Sequence, residues 1–328
     1  MKQLSILVPE GDCSLSNIEG THQIFSKVNY CLLQSGRPAL FQIQLVGLNK
    51  QSCLKKGFFR IVPDAVIDEV THSDLVIIPA IQEADMRKAL EMNRGFVPWI
   101  IERHKQGAAV ASLCIGSFLL ASTGLLSGKK CATHWIAAEE FRNMFPDVQL
   151  VTDKIITDEQ GIYSSGGAYS SLNLILYLVE KFAGREMAIL CSKIFQIELE
   201  RNNQSGFMIF NPQKDHEDDC IKQAQEYIER NVTDRISVEE LALRFAIGRR
   251  NFERRFKKAT NNTPVEYIQR VKIEAAKKSL ELSRKNVNEV MYDVGYSDTK
   301  AFRTIFKRVT GLSPIDYRNR YNRELAMI

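Results

Sequence analysis

No stretch of this 328-residue chain approaches the roughly 20 consecutive apolar residues that a membrane span needs. It also lacks any C-x-x-C pair: its cysteines (Cys13, Cys31, Cys53, Cys114, Cys131, Cys191 and Cys220) are odd in number and scattered. That argues against a disulfide framework or structural zinc and fits a reducing, cytoplasmic compartment. No metal and no cofactor is expected. The opening MKQLSILVPEG carries one lysine and a short apolar run that ends in charge within ten residues, so it reads as a first strand and not a signal peptide. A free-standing basic amphipathic anchor is missing too, so no membrane partner is expected.

What charge there is lies unevenly. From Asp218 onward there are 23 Lys and Arg against 16 Asp and Glu, a net of +7; the preceding 217 residues hold 21 against 23, a net of −2. The length suits two domains, and the division suits a basic domain attached to a mildly acidic one. Nucleic acid is the polyanion favoured by such a balance.

The basic part contains one pattern written twice. RRNFERRFKKATNNTPVEYIQR (249–270) and TKAFRTIFKRVTGLSPIDYRNR (299–320) align without a gap at an offset of 50 residues. Phe252/Phe302, Phe256/Phe306, Lys257/Lys307, Thr260/Thr310, Pro264/Pro314, Tyr267/Tyr317 and Arg270/Arg320 are identical. A fixed-period repeat marks a repeated supersecondary unit. Each copy is preceded by a capping box, Ser237…Glu240 and Asn286…Glu289, which opens a short apolar-striped helix. A Gly-containing break (Gly248; Gly295) and a basic helix follow, giving two helix-turn-helix units. Thr263-Pro264 and Ser313-Pro314 then start further helices, the first of which, about 264–282, is long enough to be a strut between the units.

With the Phe pairs facing inward, Arg250, Glu253, Arg254 and Lys257 point outward in the first unit, and Lys300, Arg303, Thr304 and Lys307 in the second. Arg and Lys suit guanine edges in the major groove, and neighbouring basic groups neutralise phosphates. A lone basic helix is most often a solvated, ion-paired face; two in matched units favour DNA. With Arg249, these eight residues form the candidate DNA-contacting set.

Residues 218–328 resemble the AraC-type DNA-binding domain, carried by SVEELA, NFERRFKKATNNTPVEYI and VGYSDTKAFRTIFKRVTGLSPIDYR. The resemblance implies an all-α domain with base reading by Arg250, Glu253 and Arg254 in the first unit and by Lys300, Arg303 and Thr304 in the second. Two departures stand out: Gly248 sits at the usual Ser/Thr cap, and Thr304 where a basic residue is common.

Residues 1–200 alternate apolar β-rich runs (4–8, 41–48, 74–79, 108–113) with helical stretches (18–33, 83–106, 117–124, 136–144, 168–182, 186–199), and 148–164 reads as a hairpin. This predicts an α/β domain, a parallel sheet flanked by helices, with its site beyond the C-terminal strand ends. At one such end, AVASL runs into Cys114-Ile-Gly116 and a helix, the layout of a nucleophile elbow with Cys in place of Ser. A helix N-terminus at the sulfur would stabilise thiolate; equally, a small Cys fills a tight corner.

VASLCIGSFLLASTGLLSGKKCATHW (110–135) and SSGGAYSSLNLILYLVEKFAGREMA (164–188) resemble the ThiJ/PfpI family of the class I glutamine-amidotransferase-like fold, in the branch fused to AraC-type domains and called GlxA-type. By that resemblance Cys114 is the elbow residue, His134 the family histidine, and the family acid falls on Asn17. An Asn orients but accepts no proton, so the catalytic set reads as vestigial and the domain as a sensor and dimerisation module, not an enzyme. The candidate ligand site is Cys114, Ile115, His134, Asn17 and Gly166. The resemblance implies a small nitrogenous effector (amino acid, amide or quaternary amine), an operator in double-stranded DNA, a homodimer, and RNA polymerase as a further partner. Two rivals remain open here: a Cys114-dependent amidase or glyoxalase tethered to DNA, and a scaffold without ligand. Residues 201–217 are the expected linker, its Phe207–Phe210 patch docked on one domain.

Overall fold

β-Branched apolar runs buried on both faces build the N-terminal sheet. The computed structural model describes residues 1–50, 52–54, 59–199 and 203–322, and they divide into two units, Met1–Gln204 and Ser205–Ile328. Residues 201 and 202 of the expected linker and 323–328 of the expected C-terminal domain lie outside the described residues.

In the first unit the order is β1 (Lys2–Val8), α1 (Leu15–Gln34), β2 (Phe41–Gly47), the hairpin β3 (Ser52–Leu54) and β4 (Phe59–Ile61), β5 (Ala65–Val66), β6 (Leu75–Ile78), α2 (Met86–Met92), α3 (Phe96–Lys105), β7 (Ala109–Leu113) and α4 (Ser117–Ser122). Then come β8 (Lys130–Cys131), α5 (Ala138–Met144), β9 (Gln149–Leu150), β10 (Ile156–Glu159), β11 (Ile162–Ser165), α6 (Ser171–Ala183) and α7 (Arg185–Phe195). The main sheet runs β10-β11-β7-β6-β1-β2-β5, parallel except for β10. Leu4, Ile6, Ile77 and Leu113 meet Phe25 and Leu174 on one face; Leu7, Val76, Ile78 and Val110 meet Phe96, Phe118 and Phe141 on the other. Burying each such side chain stabilises the fold by about 1.5–3 kcal/mol.

Two elements depart from the sequence reading. The helix expected over 83–106 is two, because buried Asn93 breaks it: its Oδ1 accepts from the Glu10 N–H and its Nδ2 donates to the Glu10 and Ala89 carbonyls. The hairpin expected over 148–164 is confined to β10 and β11, turning at Gln160 and Gly161, both at positive φ. Gln149–Leu150 pairs with β8 instead.

The second unit is helical: α8 (Asp219–Arg230), α9 (Val238–Arg244), α10 (Arg249–Thr260), α11 (Pro264–Leu282), α12 (Val287–Asp293), α13 (Thr299–Thr310) and α14 (Pro314–Tyr321). Both capping boxes form. The strut α11 gives Tyr267, Ile268 and Val271 to a core with Phe252 and Phe256, and Ile273, Ala276 and Leu280 to a second with Phe302 and Phe306. The turns differ by one residue. Ala246 and Gly295 hold equivalent left-handed positions 49 residues apart, whereas α10 and α13 begin 50 apart. Gly248 is therefore the N-cap, at φ −59°, and not the left-handed residue; Asp298 caps α13 through the Ala301 N–H.

The Phe207–Phe210 patch docks within the second unit. The Tyr321 hydroxyl donates to the Gly206 carbonyl at 3.0 Å, Lys277 Nζ to the Met208 carbonyl at 2.6 Å, and the Phe210 N–H to Glu274 at 3.1 Å.

Candidate nucleic-acid interface and candidate ligand site

On α10, Phe252 and Phe256 are fully buried while Arg249, Arg250, Arg254 and Lys257 are exposed and Glu253 is half-buried. On α13, Phe302 and Phe306 are buried and Lys300, Arg303, Thr304 and Lys307 exposed. One face of each helix is thus packed and the other is left basic. The free protein already holds part of the first face in place. Arg249 pairs with Glu239 and, at 3.0 Å, with Glu253; Arg254 donates to Asn251 Oδ1 at 2.9 Å; Lys257 donates to the Asn261 carbonyl at 2.8 Å. Glu253 raises the Arg249 pKa further, Glu239 adding to it. Arg255 is different. It turns off this face and takes both oxygens of Asp218 at 2.6 and 2.8 Å, fastening α10 to the start of α8.

In the first unit, Cys114 sits at the end of β7 with φ +54°, a left-handed backbone that a strand-to-helix elbow imposes. Its N–H points to Ser165 Oγ at 3.4 Å, and its carbonyl accepts from Thr133 Oγ1 at 3.3 Å. Gly116 is required by close approach: a Cβ there would lie 2.5 Å from the Pro79 carbonyl oxygen and 2.6 Å from that of Ile78. Of the two readings of this corner, a stabilised thiolate and a small buried side chain, burial favours the second. Cys114 is 5% exposed, and desolvation pushes its thiol up to about 12, against a small opposing pull from the Ile115 N–H. The helix behind it, α4, is only six residues long.

The two expected partners of the sulfur, His134 and Asn17, are each hydrogen-bonded elsewhere. His134 caps the turn Trp135–Ala137, its Nδ1 accepting from the Ile136 N–H at 3.2 Å, and its ring packs 5.6 Å from that of Trp135. Burial holds its pKa below the ordinary value. Asn17, buried at the start of α1, donates to Ser171 Oγ at 3.0 Å and accepts from the Ala80 N–H at 3.1 Å. Among the described residues, neither is hydrogen-bonded to Cys114. Ile115 is half-buried beside it.

A cavity of about 180 Å³ opens between α1 and α6, lined by Asn17, Glu19, Gln23, Tyr169, Ser171 and Phe195 among others. Of the sequence-predicted ligand residues, it touches Asn17 and not Cys114, Ile115, His134 or Gly166. Gly166 lies buried at the end of β11, where a Cβ would come within 2.2 Å of the Gln204 amide nitrogen. Sequence reasoning missed Gln204. Placed in the polar linker, it is instead 2% exposed and bonded to the Thr133 and Lys154 carbonyls. No periodicity marks a single buried residue in a polar stretch.

Residues 27–181 match the model of the DJ-1/PfpI family, and residues 241–320 that of a helix-turn-helix domain. The HTH-type transcriptional regulator GbdR of Pseudomonas aeruginosa is 28% identical over 87% of this chain and 76% of its own. The HTH-type transcriptional regulator CdhR of the same organism is 23% identical over 76% of this chain and 74% of its own. A solved protein from Vibrio parahaemolyticus described as a transcriptional regulator superposes with a TM-score of 0.52 at 23% identity, covering 59% of this chain and 98% of that one, a likeness of fold. The two matches together, a DJ-1/PfpI domain followed by a helix-turn-helix domain, make the chain a DNA-binding transcriptional regulator of the AraC type with an N-terminal DJ-1/PfpI domain.

Proposed function

We propose that the DJ-1/PfpI domain is a sensor that binds a small nitrogenous metabolite without transforming it, and that the two basic helices α10 and α13 read successive major grooves of an operator. The observation that carries the non-catalytic reading is the burial of Cys114, 5% exposed, with no base or acid in hydrogen-bond contact with it among the described residues; the same burial pushes its thiol pKa up. A nucleophilic thiol needs a depressed pKa or an adjacent base. The cavity beside Asn17 combines polar side chains, the Glu19 carboxylate and the aromatic rings of Tyr169 and Phe195, a lining that suits a small polar or cationic ligand. The metabolite class rests on the family resemblance.

On the DNA side, a strut of 19 residues is about 28 Å long, which suits helices set about one DNA turn, roughly 34 Å, apart. A cytoplasmic homodimer would place two such modules on a repeated or palindromic site, and the effector would act by favouring one arrangement.

The test is a thermal-shift screen of the full chain and of Cys114→Ala against amino acids, amides, polyamines and quaternary amines. A ligand at 100 times its Kd adds about 2.7 kcal/mol. A compound that stabilises both proteins and persists unchanged supports sensing. A compound consumed only by the wild type overturns it in favour of the tethered enzyme, for which the retained +54° elbow at Cys114 is the one structural argument.

A further inference from the structure

The carboxamide of Gln204 occupies a site it does not wholly satisfy. Its Nε2 donates to two converging backbone carbonyls, Thr133 at 3.0 Å and Lys154 at 3.2 Å, and the Gln204 backbone N–H donates to the Asp153 carbonyl at 2.9 Å. The space it fills is left by the missing side chain of Gly166. Yet Oε1, on a side chain 98% shielded from solvent, has no hydrogen-bond partner among the described residues. A carbonyl oxygen stripped of water and given nothing in exchange is a poor fit, so a molecule that pairs both ends of its amide would displace it at small cost. The surroundings belong to the strand-end region: Thr133 also bonds the Cys114 carbonyl and Ser117, and the loop from Gly166 leads to Tyr169 and Ser171 of the cavity.

We propose that the Thr133 and Lys154 carbonyls and the bare face of Gly166 form a subsite for a primary carboxamide or primary ammonium group, which Gln204 fills in the free protein as a tethered competitor for the effector. Two carbonyl acceptors about one nitrogen select a group with two N–H bonds and reject a carboxylate. The identity of the competitor gives the site its output. Residue 204 is bonded within the first unit, whereas Ser205–Phe207 forms a turn whose Gly206 carbonyl is held by Tyr321 and whose Phe207 ring lies 4.9 Å from the Arg320 guanidinium. Expelling Gln204 lengthens the tether to the unit that carries the second helix-turn-helix. The effector's binding energy and the tether's release are thereby linked, and its apparent affinity is lowered by the fraction of time that the subsite is self-occupied. This inference rests on the sensor reading above.

Gln204→Ala keeps Cβ and deletes what is, in effect, acetamide. Acetamide should therefore raise the Tm of Gln204→Ala and not that of the wild type, while acetate moves neither, and an amide or amine from the effector screen should bind the variant at least tenfold more tightly. Gln204→Glu, which preserves size but sets a carboxylate against two carbonyls, should lose hydrogen-exchange protection at the Gln204 amide while α1 and α11 stay protected, which also reports that the variant is folded. Equal acetamide response in wild type and variant, or none in either, with Gln204 protection unchanged in Gln204→Glu, overturns the proposal. Acetamide rescue with no effector hit would instead leave the subsite standing and sink the sensing reading; an effector that binds wild type and Gln204→Ala alike would do the reverse.

Discussion

Lys272 Nζ donates to the carbonyl of Val294 at 2.8 Å, from the strut helix into the turn of the second helix-turn-helix unit. The same ammonium takes the Val232 carbonyl at 2.6 Å and that of Asp234 at 2.8 Å, from the segment that leads into the first unit. One 94%-buried lysine thus spends all three protons tying both units to α11.

Lys272→Met keeps the aliphatic stem and strips three buried carbonyls of their donor. Hydrogen bonds to charged groups contribute about 1.5–3 kcal/mol each in isolation, and the loss of the set should cost roughly 2–4 kcal/mol once relaxation is allowed. Urea unfolding followed by a probe confined to the C-terminal unit reads this directly.

Asp218 gives the pH dependence. The two hydrogen bonds from Arg255 hold its carboxyl below the usual value, burial opposing them, and it also caps α8 through the Ile221 N–H. A depressed carboxylate contributes stability that is present above the unfolded pKa, about 3.9, and lost as pH falls through the folded one. Asp218→Ala should destabilise the C-terminal unit at pH 7, by about 0.5–2 kcal/mol for the cap alone. The difference from wild type should shrink below about pH 3.9. A difference that persists at pH 2 would show packing, not charge, at work.

At Gly116 the argument is steric. Gly116→Ala drives a methyl into the Ile78 and Pro79 carbonyls, both backbone, at 2.6 and 2.5 Å. Overpacking of this kind costs about 1–3 kcal/mol, and rigid neighbours favour the upper end. Calorimetry should show the N-terminal transition lowered with the C-terminal one in place.

For DNA, Arg254→Ala should relax selectivity at one base position and cost about 1–3 kcal/mol. Lys257→Ala and Lys307→Ala, at the exposed positions given no base-reading role, should each flatten the slope of log Kd against log salt by about 1 and leave base preference intact. Selection from a randomised site, repeated at two salt concentrations, separates the two classes.

Much of this was written in the chain, and the reasons for success and failure are physical. The repeat of Phe252/Phe302 and Phe256/Phe306 fixed both recognition helices, because a buried pair at i, i+4 dictates which face is free. The capping boxes at Ser237 and Asn286 set helix starts for the same local reason. The buried runs around Leu4, Ile77 and Val110 announced a parallel sheet. What stayed hidden depends on distant partners. Asn93 ends a helix only because Glu10 lies across from it, and Gln204 is buried only because Gly166 leaves room. The state of Cys114 stayed open in the sequence because spacing reveals an elbow but not its desolvation.

The claim that the N-terminal domain binds without chemistry is tested most directly by titrating Cys114 itself. Alkylation of the full chain by iodoacetamide, resolved by mass spectrometry at Cys114 across pH 5–11, reports its thiolate fraction. The account predicts negligible labelling at Cys114 through pH 9, consistent with a pKa pushed up to about 12. Labelling that already reaches a plateau near pH 7, lost when His134 is changed to Ala, would reveal an activated nucleophile and contradict it.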